Sequence, residues 1–135
     1  MRQDMARRPV TILLVEDEAL ICEMTADALQ DAGFRVHAVA SAEQALRYLE
    51  AGAPANALVT DINLAGLMDG LALAWAARQL VPGLPVVYTS GRSAAVCAAG
   101  SVPGSCFVPK PYDPVRICGL VAALMRPAET MRRSG

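Results

Sequence analysis

The chain has 135 residues, of which 54% are apolar and only 4% aromatic. This length is typical of a single domain that buries enough surface to fold without disulfides or a structural metal. The formal net charge of −1 offers no electrostatic footprint for nucleic acid or for a membrane surface, so we expect neither as a partner.

Short apolar segments alternate with segments of helical spacing along most of the chain. Five apolar runs predict strands over residues 10–15, 34–39, 57–60, 84–89 and 105–108. Five segments with apolar residues at helical spacing predict helices over residues 19–32, 42–50, 71–80, 93–99 and 114–125. The flanking residues 1–9 and 126–135 are expected to be a flexible N-terminus and a disordered tail.

Capping signals support three of the predicted helices. Ser41 and Gln44 form a capping box before the second helix. Asp69 is a candidate cap for the third helix, and Asp113 precedes a proline at the first position of the fifth. The predicted helix over 93–99 is short and built of small residues. We therefore expect it to be weakly held.

Several residues that can carry chemistry are better explained by packing. No C-x-x-C pair occurs among the four cysteines, which we interpret as small buried groups in a reducing compartment: Cys22, Cys97, Cys106 and Cys118. His37 lies in an alternating run and has no neighbours at zinc-ligand spacing. Trp75 lies within a predicted helix and is expected to pack. No segment is long enough for a signal peptide or a membrane span, so we interpret the protein as cytoplasmic.

Strands that alternate with helices predict a doubly wound parallel sheet with right-handed crossovers. In such a sheet the carboxyl ends of the strands meet at one edge, where ligands bind. Five side chains suited to chemistry follow the predicted strand ends: Glu16, Asp17, Asp61, Thr89 and Lys110. We expect them to converge, whereas Glu18 is interpreted as solvated surface.

Three carboxylates at one edge predict a bound cation. Like charges about 4 Å apart repel by on the order of 4 kcal/mol at an effective dielectric constant of 20. A few carboxylate ligands with room for water suit Mg²⁺. Asp61 would then be a nucleophile for a phosphoryl group that Lys110 and Thr89 help to hold.

At these residues the sequence resembles the receiver domain of two-component response regulators. The resemblance covers residues 10–125, which we expect to be one domain. Its motif is an acidic pair, a later aspartate, a threonine and a Lys-Pro pair, here Glu16-Asp17, Asp61, Thr89 and Lys110-Pro111. The resemblance implies an α/β, flavodoxin-like (βα)5 sheet with strand order 2-1-3-4-5. It also implies phosphoryl transfer to Asp61 from a histidine kinase or a phosphotransfer protein.

The resemblance further implies roles for individual residues. Asp17, Asp61 and the backbone carbonyl of Asn63 would hold Mg²⁺, and Glu16 would bind it directly or through water. Thr89 and Lys110 would bind the phosphoryl oxygens, and the peptide bond before Pro111 would be cis. Phe107 would be the aromatic switch, acting sterically because it lacks the hydroxyl of the commoner tyrosine.

The resemblance places the output surface on the fourth helix, fifth strand and fifth helix of the fold. That face would bind a downstream signalling protein or form a homodimer. Two departures from the family pattern are present. Glu16 stands where an aspartate is common, and Ser90-Gly91 follow Thr89 where an alanine is usual. No output-domain pattern follows residue 125, so we expect a single-domain regulator rather than a conventional enzyme.

Two alternatives remain open at this point. The chain could be a receiver-like module that signals by dimerising without phosphorylation. It could also be a phosphatase with an aspartate nucleophile, since Asp61-Ile62-Asn63 is similar to the Asp-x-Asp loop of haloacid-dehalogenase-like proteins. That loop's second aspartate, the general acid, is missing here.

Overall fold

The computed structural model of the chain describes residues 9–91 and 99–125. Five strands lie within these ranges, namely β1 (Thr11–Val15), β2 (Arg35–Val39), β3 (Ala57–Asp61), β4 (Val86–Ser90) and β5 (Cys106–Pro109). Four helices connect or follow them, namely α1 (Ala19–Asp31), α2 (Ala42–Glu50), α3 (Gly70–Leu80) and α4 (Pro114–Leu124). The predictions for residues 1–8, 93–98 and 126–135 concern residues outside these ranges.

The five strands form one parallel sheet in the order β2-β1-β3-β4-β5. This order confirms the flavodoxin-like fold expected from the sequence. In the registers of the inner strands, Val15 lies opposite Thr60 and Asp61 lies opposite Thr89. The carboxyl ends of β1, β3 and β4 therefore lie side by side at one edge of the sheet.

Helices cover both faces of the sheet, so the central strands are buried throughout. On one face, Leu13, Leu58 and Tyr88 pack in a cluster with buried residues of α2 and α3. On the other face, Leu14 and Val59 pack in a cluster with buried residues of α1 and α4. Successive residues of a strand point to opposite faces. This is why the central strands read as continuous apolar runs.

The predicted capping residues begin their helices. The Asp69 side chain accepts a hydrogen bond from the Ala72 amide at 2.9 Å, and Asp113 accepts one from the Val115 amide at 3.0 Å. The Ser41 hydroxyl accepts the Gln44 amide at 3.2 Å. The Gln44 side chain returns to the Ala40 amide at 2.9 Å, one residue before the cap. These contacts fix where the chain leaves each preceding strand or loop.

The fourth strand begins later and ends later than the sequence predicted. Pro85 has no amide to donate, and β4 starts at Val86 although Leu84 is also buried. At its other end, the Ser90 carbonyl accepts the Lys110 amide at 2.8 Å, which extends the ladder by one residue. The predicted strand over 57–60 likewise extends by one residue, to Asp61. These extensions bring Asp61 and Ser90 into the sheet itself.

The residues assigned to packing have structural partners. The rings of His37 and Tyr48 stack with centroids 4.0 Å apart. The Trp75 indole donates to the Gly100 carbonyl at 2.8 Å. The three described cysteines are free thiols and only partly buried, so the expectation of fully buried groups is wrong for Cys22, Cys106 and Cys118. Within residues 9–91 and 99–125, no helix is long and apolar enough to cross a membrane.

Candidate functional site

Three carboxylates meet at the carboxyl edge of the sheet. Glu16 and Asp17 follow β1, and Asp61 is the last residue of the neighbouring β3. One oxygen from each of the three side chains lies within 4.8 Å of the others. Glu16 and Asp61 are only 3% and 5% exposed, whereas Asp17 is exposed to solvent. The convergence of these carboxylates, which a parallel sheet predicted, is therefore present.

Lys110, which follows β5, supplies a cation to this cluster. Its ammonium lies 2.9 Å from Oδ2 of Asp61 and 3.0 Å from Oε1 of Glu16. The side chain is 15% exposed, so these ion pairs are partly shielded from water. The Lys110–Pro111 peptide bond is cis, as the resemblance implied.

Glu18 is exposed, as predicted, and also lies at the edge of the site. Its side chain is 62% exposed, but one carboxylate oxygen lies 3.4 Å from the Lys110 ammonium. Its backbone amide donates to Oε2 of Glu16 at 3.1 Å. The expectation of an exposed Glu18 is confirmed, and the turn after β1 also brings its carboxylate near the Lys110 ammonium. At this distance and exposure we expect the ion pair itself to contribute little stability.

The loop after β3 donates a backbone hydrogen bond to each of the two aspartates of the cluster. The Asn63 amide donates to Oδ1 of Asp61 at 3.1 Å, and the Ala65 amide donates to Oδ2 of Asp17 at 3.2 Å. The Asn63 side chain donates to the hydroxyl of Ser90 at 3.2 Å. Asp61 is thus held at Oδ1 by a backbone amide and at Oδ2 by an ammonium.

Thr89 and Phe107 occupy the positions that the topology gives them. Thr89 is buried on β4, directly opposite Asp61 in the register of the two strands. Phe107 is half-buried on β5, opposite Tyr88, and packs against the cluster on the α2 and α3 face. A change of state at either residue stays a prediction.

Burial and charge shift the pKa values of the two central partners. Burial raises the pKa of Glu16 above its ordinary 4.5, and the nearby Lys110 only partly opposes this shift. For Lys110, burial alone would lower the pKa. The hydrogen bonds and charges of Asp61 and Glu16 outweigh burial and raise it above the ordinary 10.5. The lysine therefore stays charged at neutral pH.

The donor set fits a hard divalent cation such as Mg²⁺. All three side chains offer carboxylate oxygens, and their charge exceeds that of the single ammonium beside them. Asp17 is exposed, so water can complete a coordination shell, as Mg²⁺ usually requires. The residues of this cluster that could hold the ion are Glu16, Asp17 and Asp61.

We expect Glu16→Gln to stabilise the protein near pH 7 when no divalent cation is present. Because the pKa of Glu16 is raised in the folded state, the folded protein binds a proton at Glu16 more tightly than the unfolded chain does. The contribution of Glu16 to the free energy of unfolding is fully present at pH values below its pKa in the unfolded chain. It is lost as the pH rises through its pKa in the folded protein. In urea unfolding, wild type should therefore lose stability relative to Glu16→Gln as pH rises from about 4 to 7.

The exposed Glu50 at the end of α2 provides a matched control, because Glu50→Gln should follow the wild-type pH curve. Added Mg²⁺ should stabilise wild type and the control more than Glu16→Gln. A Glu16→Gln curve that runs parallel to wild type over this pH range would contradict the prediction.

Gly70 is a residue of the site that sequence reasoning missed. It is the first residue of α3, and its amide donates to the Ile62 carbonyl at 2.8 Å. A Cβ atom placed on it would lie 2.1 Å from the Asp61 carbonyl oxygen. The only available signal was a glycine directly after the capping Asp69, a position where helices do not require glycine.

Comparisons with known proteins agree with this fold. A family model described as the response regulator receiver domain matches residues 12–122. The solved structure of a response regulator receiver protein from Sinorhizobium medicae WSM419 is 38% identical, with a TM-score of 0.85. The match covers 89% of this chain and 97% of that one.

Two curated proteins show the same similarity at the level of sequence. The nitrogen assimilation regulatory protein NtrX of Azorhizobium caulinodans is 33% identical over 90% of this chain. The sensor kinase CckA of Brucella abortus is 34% identical over 76% of this chain. The match spans 26% of the length of NtrX and 11% of the length of CckA.

Proposed function

The chain belongs to the response regulator receiver domain family, and from this premise we propose that Asp61 accepts a phosphoryl group from a protein phosphohistidine. Receiver domains are regulatory modules rather than conventional enzymes. The donor would be a histidine kinase or a phosphotransfer protein of a two-component system. The receiver unit over residues 10–125 would carry out this step.

The proposed transfer is a displacement at phosphorus. A carboxylate oxygen of Asp61 forms a bond to phosphorus while the bond from phosphorus to the imidazole nitrogen breaks. The bonding pair leaves with that nitrogen, and the product is an acyl phosphate on Asp61. Lys110 stays charged at neutral pH and can pair with a phosphoryl oxygen, while the hydroxyl of Thr89 can donate to another.

Mg²⁺ would be held by Glu16, Asp17, Asp61 and the carbonyl of Asn63. When bound, it would neutralise charge on the phosphoryl oxygens. This chain's own contribution is to keep the carboxylates together and to orient Asp61 through Asn63 and Lys110.

One observation carries the proposal: the ammonium of Lys110, from the far edge of the sheet, lies 2.9 Å from Oδ2 of Asp61. Asp61 belongs to β3 and Lys110 follows β5, with β4 between them. Lys110 reaches across one strand to the nearly buried Asp61 and orients its carboxylate at the carboxyl edge of the sheet. This arrangement suits an acceptor of a dianionic group.

The surface beside the site suits a protein donor. Leu20 and Met24 on α1 and Val115 on α4 are large apolar side chains that stay exposed. Ile21 and Met24 of α1 line one pocket together with Lys110 and Pro111, which brings this apolar surface next to the acceptor. The relatives named as a sensor kinase and as a regulatory protein support a partner from the same signalling class.

We further propose that phosphorylation is read out on β5 and α4. Thr89 would move toward the phosphoryl group, and Phe107 would turn inward into the space beside Tyr88. A downstream signalling protein, or a second copy of the chain, would bind that face. The register that sets Phe107 beside Tyr88 on β4, one residue before Thr89, supports this coupling.

The test is phosphorylation of the purified chain by acetyl phosphate with Mg²⁺, followed by mass spectrometry. We expect one phosphoryl group on wild type and none on Asp61→Ala. Beryllofluoride with Mg²⁺ should shift the NMR signals of Asp61, Thr89 and Phe107 in wild type alone. Failure of wild type in both assays would reject the proposal and favour a module that works without phosphorylation.

A further inference from the structure

Ser90 is a buried hydroxyl at the position where the family usually has alanine. It is the last residue of β4 and is 0% exposed. Its hydroxyl accepts a hydrogen bond from the side-chain amide of Asn63 at 3.2 Å. Its carbonyl accepts the backbone amide of Lys110 at 2.8 Å. Ser90 therefore contacts both the loop after β3 and the end of β5.

Asn63 and Lys110, both of which Ser90 contacts, also hold the carboxylate of Asp61. The backbone amide of Asn63 donates to Oδ1 at 3.1 Å, and the ammonium of Lys110 lies 2.9 Å from Oδ2. Through these two contacts Ser90 is linked to Asp61 by way of Asn63 and Lys110.

We propose that Ser90 is a positioning residue for Asp61, acting through the side chain of Asn63. Asn63 lies in an exposed loop, where its carboxamide would otherwise sample several rotamers. The bond to the Ser90 hydroxyl ties this side chain to the rigid end of β4. The tie holds the backbone amide of Asn63 against Oδ1, so that the carboxylate keeps one orientation.

The kinetic consequence rests on the proposed function. A correctly oriented nucleophile lowers the barrier to phosphoryl transfer. The net contribution of one hydrogen bond corresponds to about a two- to tenfold change in an equilibrium or rate constant. We therefore expect Ser90→Ala to slow phosphorylation by acetyl phosphate by about three- to tenfold.

The experiment is a double-mutant cycle with Ser90→Ala, Asn63→Ala and the double variant. Such a cycle isolates the coupling of the two side chains from anything else that either one touches. The first readout is the NMR shift of the backbone amide at position 63, in protein without metal or phosphoryl donor. The second is the rate of phosphorylation of Asp61. Ser105→Ala is the matched control, because it removes another serine hydroxyl, bonded to the Val102 carbonyl at 2.8 Å before β5.

We expect each single variant at the site to move the amide signal of position 63 upfield and to slow phosphorylation. The double variant should be no slower than the slower single variant, and Ser105→Ala should match wild type in both readouts. An unchanged amide signal in Ser90→Ala, or additive rate effects in the cycle, would overturn the positioning role. If wild type itself is not phosphorylated, the proposed function fails, and the amide signal still decides whether Ser90 holds Asn63 on Asp61.

Discussion

Replacing Lys110 by alanine is expected to lower the free energy of unfolding by about 3 kcal/mol at pH 7 without divalent cations. The ammonium is the group that lies within 3.0 Å of both Asp61 and Glu16. Its removal would leave two nearly buried carboxylates, and the nearby Asp17, without that compensating charge. Breaking a buried ion pair from one side costs more than the pair itself contributes, because the remaining charge stays desolvated. Urea unfolding monitored by circular dichroism measures the effect.

Lys110→Arg is the matched control, since it keeps a positive charge and should lose clearly less stability than Lys110→Ala. Added Mg²⁺ should reduce the deficit of the alanine variant, because a divalent cation compensates the same carboxylates. The deficit should also shrink toward acidic pH, where Glu16, already shifted to a higher pKa by burial, becomes neutral. An alanine variant as stable as wild type at pH 7 would contradict this account of the site.

Five residues of this site could be predicted from sequence because each lies at or within two residues of the end of a strand, namely Glu16, Asp17, Asp61, Thr89 and Lys110. A parallel sheet brings such ends together whatever their separation along the chain. Asp61 and Lys110 are 49 residues apart and still lie in contact. A parallel sheet was sufficient for this prediction, and it follows from apolar runs that alternate with helices, whereas the strand order was implied by the family resemblance.

Contacts made by loop residues could not be predicted from the identity of the strands. Glu18 is an exposed charged residue, and only the path of the turn after β1 brings its carboxylate to Lys110. The bond between Asn63 and Ser90 depends on a side-chain rotamer and on the last residue of β4, where strand limits are least certain. Periodicity carries no information about either.

The predicted strand limits were wrong where a single residue changes the backbone hydrogen bonding of the sheet. Pro85 blocks donation at the start of β4 but still accepts from the Leu58 amide at 2.9 Å. The apolar run therefore begins before the strand does. At the carboxyl ends of β3 and β4, the polar residues Asp61 and Ser90 continue the hydrogen-bonded strands although the apolar pattern has already ended. Hydrophobicity and backbone pairing thus have different limits at the positions that form the site.

Gly70→Ala is expected to destabilise the protein by about 3 kcal/mol, which corresponds to roughly 10 °C in melting temperature for a domain of this size. The added Cβ would lie 2.1 Å from the carbonyl oxygen of Asp61 and 2.9 Å from Cα of Ile62. Both contacts are with backbone, so a side-chain rotation cannot relieve them. Either α3 or the end of β3 must move, and Asp61 is carried with the strand. Thermal unfolding and the rate of phosphorylation by acetyl phosphate measure the two consequences.

Gly119→Ala is the control that separates this clash from the general effect of the substitution. Gly119 lies inside α4, and a Cβ atom there would meet no atom within 4 Å. Alanine is the better helix former by up to about 1 kcal/mol, so Gly119→Ala should raise the melting temperature. If Gly70→Ala were also neutral or stabilising, the close approach of α3 to Asp61 would be wrong. A stable Gly70→Ala variant that phosphorylates at the wild-type rate would also remove this glycine from the site.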